Sequence, residues 1–427
     1  MAKIIFTCFG SLGDLHPYIA LAKTLQEHNH EVTICSSRIF EEHIKIEGIP
    51  FIHLRSNLDQ FTTPDDIRQF LKLIFSPKHG GKEMIRAFMV NIEQTYLDTM
   101  KAAEDADLVI SHPLTYATPL VCRELGKPWL STALSPMIFM STYEPPTLSP
   151  APWLKSIHRF SPPLYRLLFN GIKRSTQSWS KPLYDVCKQQ GINSPDANPV
   201  FEGQFSPHGT LAMFPESFAP AQPDWPVHTY TTGFPLFSTA TDETEALAKL
   251  QEFLDAGEAP IVFALGSAAV NIAGDFYHVS AAAARQLGRR AVLVFGYHPN
   301  HVEGIEPNDD ILMLDYMSYD KLFPKACAIV HQGGIGTLAQ SMAAQVPMLI
   351  VPFAFDQFDN AERIEHMGMG KSLARKDYIV TNVTTVLAEL LRERRYTEQA
   401  EVFGKQIKNE NGILHASKVI EDILATA

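Results

Sequence analysis

Residues Lys3 to Ser36 read KIIFTCFGSLGDLHPYIALAKTLQEHNHEVTICS. An apolar run from Lys3 to Phe9 leads into a turn holding Gly10 and Gly13. An amphipathic stretch from about Leu15 to Asn29 follows, with Ile19, Leu21, Ala22 and Leu25 apolar, and a second apolar run covers Glu31 to Ser36. Strand, helix and strand in that order make a β-α-β unit, which implies a parallel sheet. The theme recurs with a strand at Asp107 to Ser111, a helix from about Tyr116 to Leu125, a strand at Pro128 to Ala133 and another at Gly209 to Met213 before Phe214-Pro215.

Proline and glycine thicken between Pro215 and Pro235, and a polar run from Ser238 to Glu245 reads as a linker. A second α/β series follows. Strands are expected at Pro260 to Leu265, Arg290 to Phe295, Ile311 to Leu314, Cys327 to Val330 and Met348 to Val351, with helices at Gly274 to Leu287 and Thr337 to Ala344 and a mostly helical tail after Val380. The expected domains are 1–235 and 246–405, joined by a linker at 236–245, with a C-terminal helix at 406–427 packing back on the first domain. The fold class is α/β, with two doubly wound, Rossmann-like halves whose sheets face an interdomain cleft.

Composition agrees with this plan. At roughly 150 residues per domain, 427 residues suggest two or three domains, and the pattern above favours two. A hydrophobic fraction of 45% with 19% charged residues is enough for real cores and excludes disorder. The net charge of −11 argues against a duplex nucleic-acid partner, which needs a basic face. Five cysteines, Cys8, Cys35, Cys122, Cys187 and Cys327, show neither a CxxC nor an even count, so buried free thiols are expected rather than a disulfide framework or a zinc cage. No run approaches the roughly 20 apolar residues of a membrane span, and the opening apolar run is too short for a leader, so a cytoplasmic protein is expected.

One stretch breaks the acidic pattern. Residues 145–184 hold seven prolines, no Asp or Glu, and Lys155, Arg159, Arg166, Lys173, Arg174 and Lys181 among six large aromatics. Two readings stand side by side: an irregular insertion packed on the first domain, or an acceptor-pocket wall or peripheral membrane contact, which would place the protein at the inner membrane surface.

In open parallel sheets ligands bind beyond the carboxyl ends of the strands. His331-Gln332-Gly333-Gly334-Ile335-Gly336-Thr337 follows one such strand and opens a helix. Its glycines let backbone N–H groups approach an anion, the helix start adds positive charge, and Thr337 and His331 can donate. By physics this is a diphosphate cradle, with a structural turn as the other reading. After the next strand, Asp356, Gln357, Asp359 and Asn360 suit a polyhydroxylated ligand; the bland reading is a solvated loop with a helix cap at Asp359. In the first half, Asp14 begins a helix after the first strand, where it reads either as an N-cap or as a cleft carboxylate. His112 ends another strand, from which it is expected to approach Asp14.

Together these residues resemble the family 1, UDP-glycosyltransferase-like enzymes of the GT-B fold. His331 to Thr337, Val346-Pro347, Pro352, Asp356-Gln357 and Asn360-Ala361 are similar to that family's donor signature in order and spacing. Gly10-Ser11-Leu12-Gly13-Asp14 with Pro17 resembles the bacterial branch that includes sterol glucosyltransferases and rhamnolipid-type rhamnosyltransferases. Phe214-Pro215, Asp224-Trp225-Pro226 and Gly233-Phe234 are similar to the rhamnosyltransferase-like members. The resemblance is weakest across 55–105 and 140–205, where the acceptor is normally recognised, and it assigns no acceptor residues.

The resemblance implies roles. His331, Gly333, Gly334, Gly336, Thr337, Ser267 and Gly13 would serve the donor diphosphate, Asp356 and Gln357 its sugar, and Tyr316 and Met317 its base. Asp14 would take the acceptor proton with His112 orienting it; the competing assignment exchanges the two, and His16 ranks third. The implied reaction is inverting, metal-independent transfer of a hexose from a nucleotide diphosphate sugar, UDP-glucose favoured, to a hydroxyl of a lipophilic acceptor, with no cofactor beyond the nucleotide sugar. A dTDP-rhamnose-dependent rhamnosyltransferase is the alternative donor reading. Other classes are a sugar-nucleotide epimerase, an NADP-dependent oxidoreductase and an inactive partner subunit. Against the oxidoreductase, the opening turn is not GxGxxG and the second strand ends in Ser36-Ser37-Arg38 without an acidic residue.

Overall fold

The computed structural model describes all residues except Thr62, Pro150, Ala240 to Asp242, His298 and Ala427. Part of the expected linker, at 240–242, and one proline of the basic stretch therefore lie outside the described residues. The chain forms two compact units: Met1–Phe237 together with Glu410–Ala427, and Ser238–Asn409.

Among the described residues the first unit has a seven-stranded sheet built from β1 (Lys3–Cys8), β2 (Glu31–Ser36), β3 (Phe51–His53), β4 (Leu108–Ser111), β5 (Trp129–Ala133), β6 (Thr210–Ala212) and β7 (Thr229–Thr231). Their order is β3-β2-β1-β4-β5-β6-β7, and every pair is parallel. Ile4 of β1 lies opposite Val32 on one side and Leu108 on the other. The central strands β1, β4 and β5 are buried along nearly their whole length, as in a parallel sheet with helices on both faces. The second unit has a six-stranded sheet of β8 (Ile261–Ala264), β9 (Ala291–Val294), β10 (Ile311–Leu314), β11 (Ala328–His331), β12 (Met348–Ile350) and β13 (Gly370–Ser372). Its order is β10-β9-β8-β11-β12-β13, again all parallel.

Each sheet starts at its centre, grows outward one way, then crosses back and grows the other way. That leaves one switch point per sheet, between β1 and β4 in the first and between β8 and β11 in the second. Loops diverge there and open a crevice at the carboxyl ends of the strands.

Several expected boundaries move. The first helix runs Leu12–Glu27 and starts three residues early, because Ser11 already takes the N-cap position and pairs with Asp14. Thr244 and Glu245, expected in the linker, open the helix Thr244–Asp255. The tail divides at Asn411, with φ +45°, rather than near 406. One helix runs Arg394–Glu410 and the last Gly412–Thr426. The last helix packs on Leu12–Glu27, and Glu421 reaches His28 at 3.0 Å. Gly412 has to be glycine, since a Cβ there would sit 2.6 Å from the backbone of Gly233. All five cysteines are free, four buried and Cys327 half-buried.

Candidate functional site

Asp14 and His112 flank the first switch point. Asp14 stands in the first turn of the helix after β1. His112 follows β4, and its N–H donates to Thr7 O on β1 at 2.9 Å, which fixes the residue against the central strand. Leu114 N–H donates to His112 Nδ1 at 3.2 Å. A neutral imidazole that accepts at Nδ1 carries its proton on Nε2, and Nε2 lies 3.3 Å from Asp14 Oδ1. His112 therefore donates to the carboxylate. Asp14 Oδ2 takes two further hydrogen bonds, from Ser11 N at 2.7 Å and Ser11 Oγ at 2.8 Å. Burial by itself raises the Asp14 carboxyl. The hydrogen bond and charge attraction of His112, with the Ser11 bonds, outweigh it and hold Asp14 below the ordinary carboxylate value. Of the pair, the Asp14 side chain is 31% exposed and that of His112 only 4%.

Gly13 is the second residue of the same helix, so its N–H belongs to the first turn and has no intrahelical acceptor. His16 packs its ring on Phe237, with centroids 4.8 Å apart, and burial pushes it down to about 4, so it stands neutral.

The Gly-rich turn lies at the second switch point. β11 ends at His331, and Gly334 is the N-cap of the helix Ile335–Ala343. Gly333 has φ +85°, and a Cβ there would meet Ile350 Cγ2 at 2.6 Å, so any other residue would be strained and would push Ile350 aside. The N–H groups of Ile335, Gly336 and Thr337 open the helix without intrahelical acceptors and with the positive end of its dipole. Ser267 is exposed one residue beyond Gly266, on the turn after β8. Asp356 and Gln357 follow β12, at the start of the helix Gln357–His366. Asn360 donates to Gly333 O at 2.9 Å and to Asp356 Oδ2 at 2.8 Å, and so ties the two loops. Met317 is buried and Tyr316 half-buried after β10, with burial pushing the Tyr316 phenol up to about 12.

Three expectations change. His331 is fully buried, Gly333 N–H donates to its Nδ1 at 3.0 Å, and its Nε2 lies 3.4 Å from Met348 Sδ. Burial drives it down to about 3, so the ring is neutral and braces the turn rather than presenting a donor to an anion. Gln357 Oε1 accepts from Phe353 N and Ala354 N at 2.8 and 3.0 Å, which leaves only its amide nitrogen for a ligand. Asp359 is not the helix cap: Asp356 holds that position, and Asp359 is buried against Arg363 at 2.8 Å, one helical turn on.

Two family models match the chain: a glycosyltransferase family 28 N-terminal domain over residues 4–137, and the C-terminal domain of erythromycin biosynthesis protein CIII-like proteins over 294–412. The first ends beyond His112 and the second contains the whole Gly-rich turn. The chain belongs to the GT-B glycosyltransferases. It falls in their family 1-like group. The O-mycaminosyltylonolide 6-deoxyallosyltransferase of Streptomyces fradiae is 28% identical over 98% of this chain and 97% of its own. A sterol 3-beta-glucosyltransferase of Debaryomyces hansenii is 26% identical over 96% of this chain, which spans only 26% of that relative's length. The glycosyltransferase VinC, solved in complex with dTDP, shares the fold at a TM-score of 0.70 and 18% identity, over all of both chains.

Three more residues of the glycosyltransferase, named above only as parts of a motif or of the linker, shape these two crevices. Gly10, with φ +128°, leaves room for Asp14, whose Oδ2 would lie 2.4 Å from a Cβ there. Gln332 joins the two strand ends of the second switch point: Gly266 N–H donates to its Oε1 at 2.9 Å, and its Nε2 donates to Thr337 Oγ1 at 3.3 Å. Glu243, buried, accepts from Ser318 N at 2.7 Å and pairs with Lys321 at 2.7 Å, which anchors the loop carrying Tyr316 and Met317. Gln332 and Glu243 act on residues far away in the chain, and Gly10 acts only by the absence of a side chain. Among the described residues no cluster of His, Cys, Asp and Glu is arranged to hold a metal ion, and no helix is long and apolar enough to cross a membrane.

Proposed function

We propose that the enzyme inverts the anomeric centre of a hexose as it moves it from a nucleoside diphosphate to a hydroxyl of a lipophilic acceptor. The observation that carries this reading is the helix Ile335–Ala343, which opens at a switch point behind a glycine that any side chain would strain. Such a helix start accepts a diphosphate through backbone amides. As the sugar leaves, charge grows on the diphosphate, and fixed amides stabilise it without reorganisation. In this reading that stabilisation stands in for a metal, and His331 and Gln332 keep the amides in place. Tyr316 and Met317 take the base, and Ser267 adds a hydroxyl to the phosphates.

The acceptor oxygen attacks the anomeric carbon opposite the diphosphate, and its proton passes to Asp14. A carboxylate held below its ordinary value is a weak base. It suffices because the attacking hydroxyl becomes strongly acidic as its bond to carbon forms. His112 is the positioning partner, since its donated hydrogen bond turns Asp14 and its side chain is nearly inaccessible. The exchanged assignment needs His112 Nε2 free of its proton, against the Leu114 contact.

UDP-glucose is the favoured donor, because Asp356 and the Gln357 amide suit the vicinal hydroxyls of a hexose. The named relatives include both glucosyl- and deoxysugar transferases, which keeps dTDP-rhamnose as the second donor. Calorimetric titration of UDP and dTDP, followed by product analysis with labelled donors and a sterol or similar lipophilic alcohol, tests the proposal. Transfer with inversion, unaffected by EDTA, is expected. Epimerisation of the donor, or tight binding of NADP alone, would overturn it.

A further inference from the structure

The basic stretch forms two short helices, Trp153–Phe160 and Pro162–Thr176, joined at Ser161 and in contact with each other. Their buried side is narrow. Leu154, Tyr165 and Phe169 form a small cluster of their own, with Met140, Ile157 and Phe201 against it. The rest of the apolar material points to solvent. On the second helix Leu164, Leu168 and Ile172 recur every four residues, with Leu167 beside them at 70% exposed. That spacing puts them on one face over more than two turns. On the first helix Trp153 and Phe160, seven residues apart, are 57% and 90% exposed. Six large apolar side chains on one helix pair are far more than scattered surface hydrophobics.

The charges within this stretch are of one sign. Residues 145–184 carry six Lys or Arg and no Asp or Glu in a chain of net charge −11. Lys173 pairs with Glu202 and Lys181 with Asp185, both acids from beyond the stretch. Arg166 stacks over the Tyr143 ring at 4.5 Å, and Arg174 is exposed. Trp, Phe and Leu on one side with Arg and Lys beside them is the pattern of a helix that lies in a lipid interface.

We infer that this helix pair docks the enzyme on an anionic lipid surface. Trp153, Phe160, Leu164 and Leu167 enter the acyl boundary, while Arg166 and Arg174 meet the headgroups. The inference goes beyond the proposed reaction and needs neither its donor nor its base.

The test is co-sedimentation of the full chain with vesicles of phosphatidylcholine alone or mixed with phosphatidylglycerol, with sedimentation velocity in the absence of lipid. The wild type is expected to bind the mixed vesicles, and F160S/L167S to lose at least about tenfold in partitioning. R166Q/R174Q is expected to lose about tenfold on the mixed vesicles and little on phosphatidylcholine. All four positions are exposed, so UDP or dTDP titration and thermal midpoints should match the wild type, which separates this inference from the donor reading. No binding by the wild type, or equal binding by F160S/L167S, would overturn it. So would a dimer that F160S/L167S dissociates without any vesicle binding, since the face would then belong to a second copy of the chain.

Discussion

The two switch points solve different problems with the same topology. At β1 and β4 the crevice holds Asp14 and His112, which in the proposed mechanism take and position the acceptor proton. At β8 and β11 it holds a turn that, in the same proposal, presents backbone amides to the diphosphate, and the buried His331 beside it is neutral. The contrast teaches a division of labour. A site that moves a proton needs an ionised group with a defined partner, whereas a site that holds a diphosphate needs fixed dipoles and no titration.

The largest expected effect is on the first crevice. Asp14→Asn keeps the shape and removes the base, so kcat should fall about 10²–10⁴-fold while KM for the donor hardly moves. Steady-state kinetics with donor and acceptor varied separately would read this. Full activity in Asp14→Asn would erase the contrast.

His112→Ala should lower kcat about 10–100-fold through misorientation of Asp14. It should also leave a pH signature. Asp14 is depressed in the native state, so its contribution to stability and activity is complete above the unfolded value of about 3.9 and is lost only as pH falls through the lower folded value. The wild-type rate should therefore be flat down to about pH 5. Without His112, burial of Asp14 is less compensated and the acid limb should move up. A wild-type limb near pH 6.5, where an ordinary imidazole titrates, would hand the base role to a histidine.

For the second crevice, Gly333→Ala forces a side chain into φ +85° and against Ile350. The strain of about 1–3 kcal/mol should weaken nucleotide binding by about tenfold and lower the thermal midpoint. Gln332→Ala is expected to do least, raising KM for the donor about three- to tenfold by freeing the Gly266 and Thr337 contacts. A drop in kcat alone would mean that Gln332 serves the chemistry rather than the cradle.

Much of this plan was legible in the sequence because its signals are local. The apolar runs of β1, β8, β9 and β11 sit beside glycines, and the residues after β1, β4 and β11 lead straight to Asp14, His112 and Gly333. What escaped depends on distance or brevity. β3, β7 and β13 have three residues each, as do β6 and β12, but β7 (Thr-Tyr-Thr) and β13 (Gly-Lys-Ser) also lack the apolar residues that mark a strand so short. Several helices between β3 and β4 were likewise unread, in the region where the family resemblance is weakest. The roles of Glu243 and Gln332 depend on which loops the fold brings together. His331 looked like a donor because strand register, not sequence, puts Met348 against its ring. Asp359 could have been read better, since Arg363 stands four residues on and an i,i+4 ion pair was open to it.

The most direct test of the division of labour is calorimetric titration of UDP and dTDP into the wild type, Asp14→Asn and Gly333→Ala. The account predicts unchanged affinity in Asp14→Asn and about tenfold weaker binding in Gly333→Ala. Wild-type affinity in Gly333→Ala, or loss of nucleotide binding in Asp14→Asn, would contradict it.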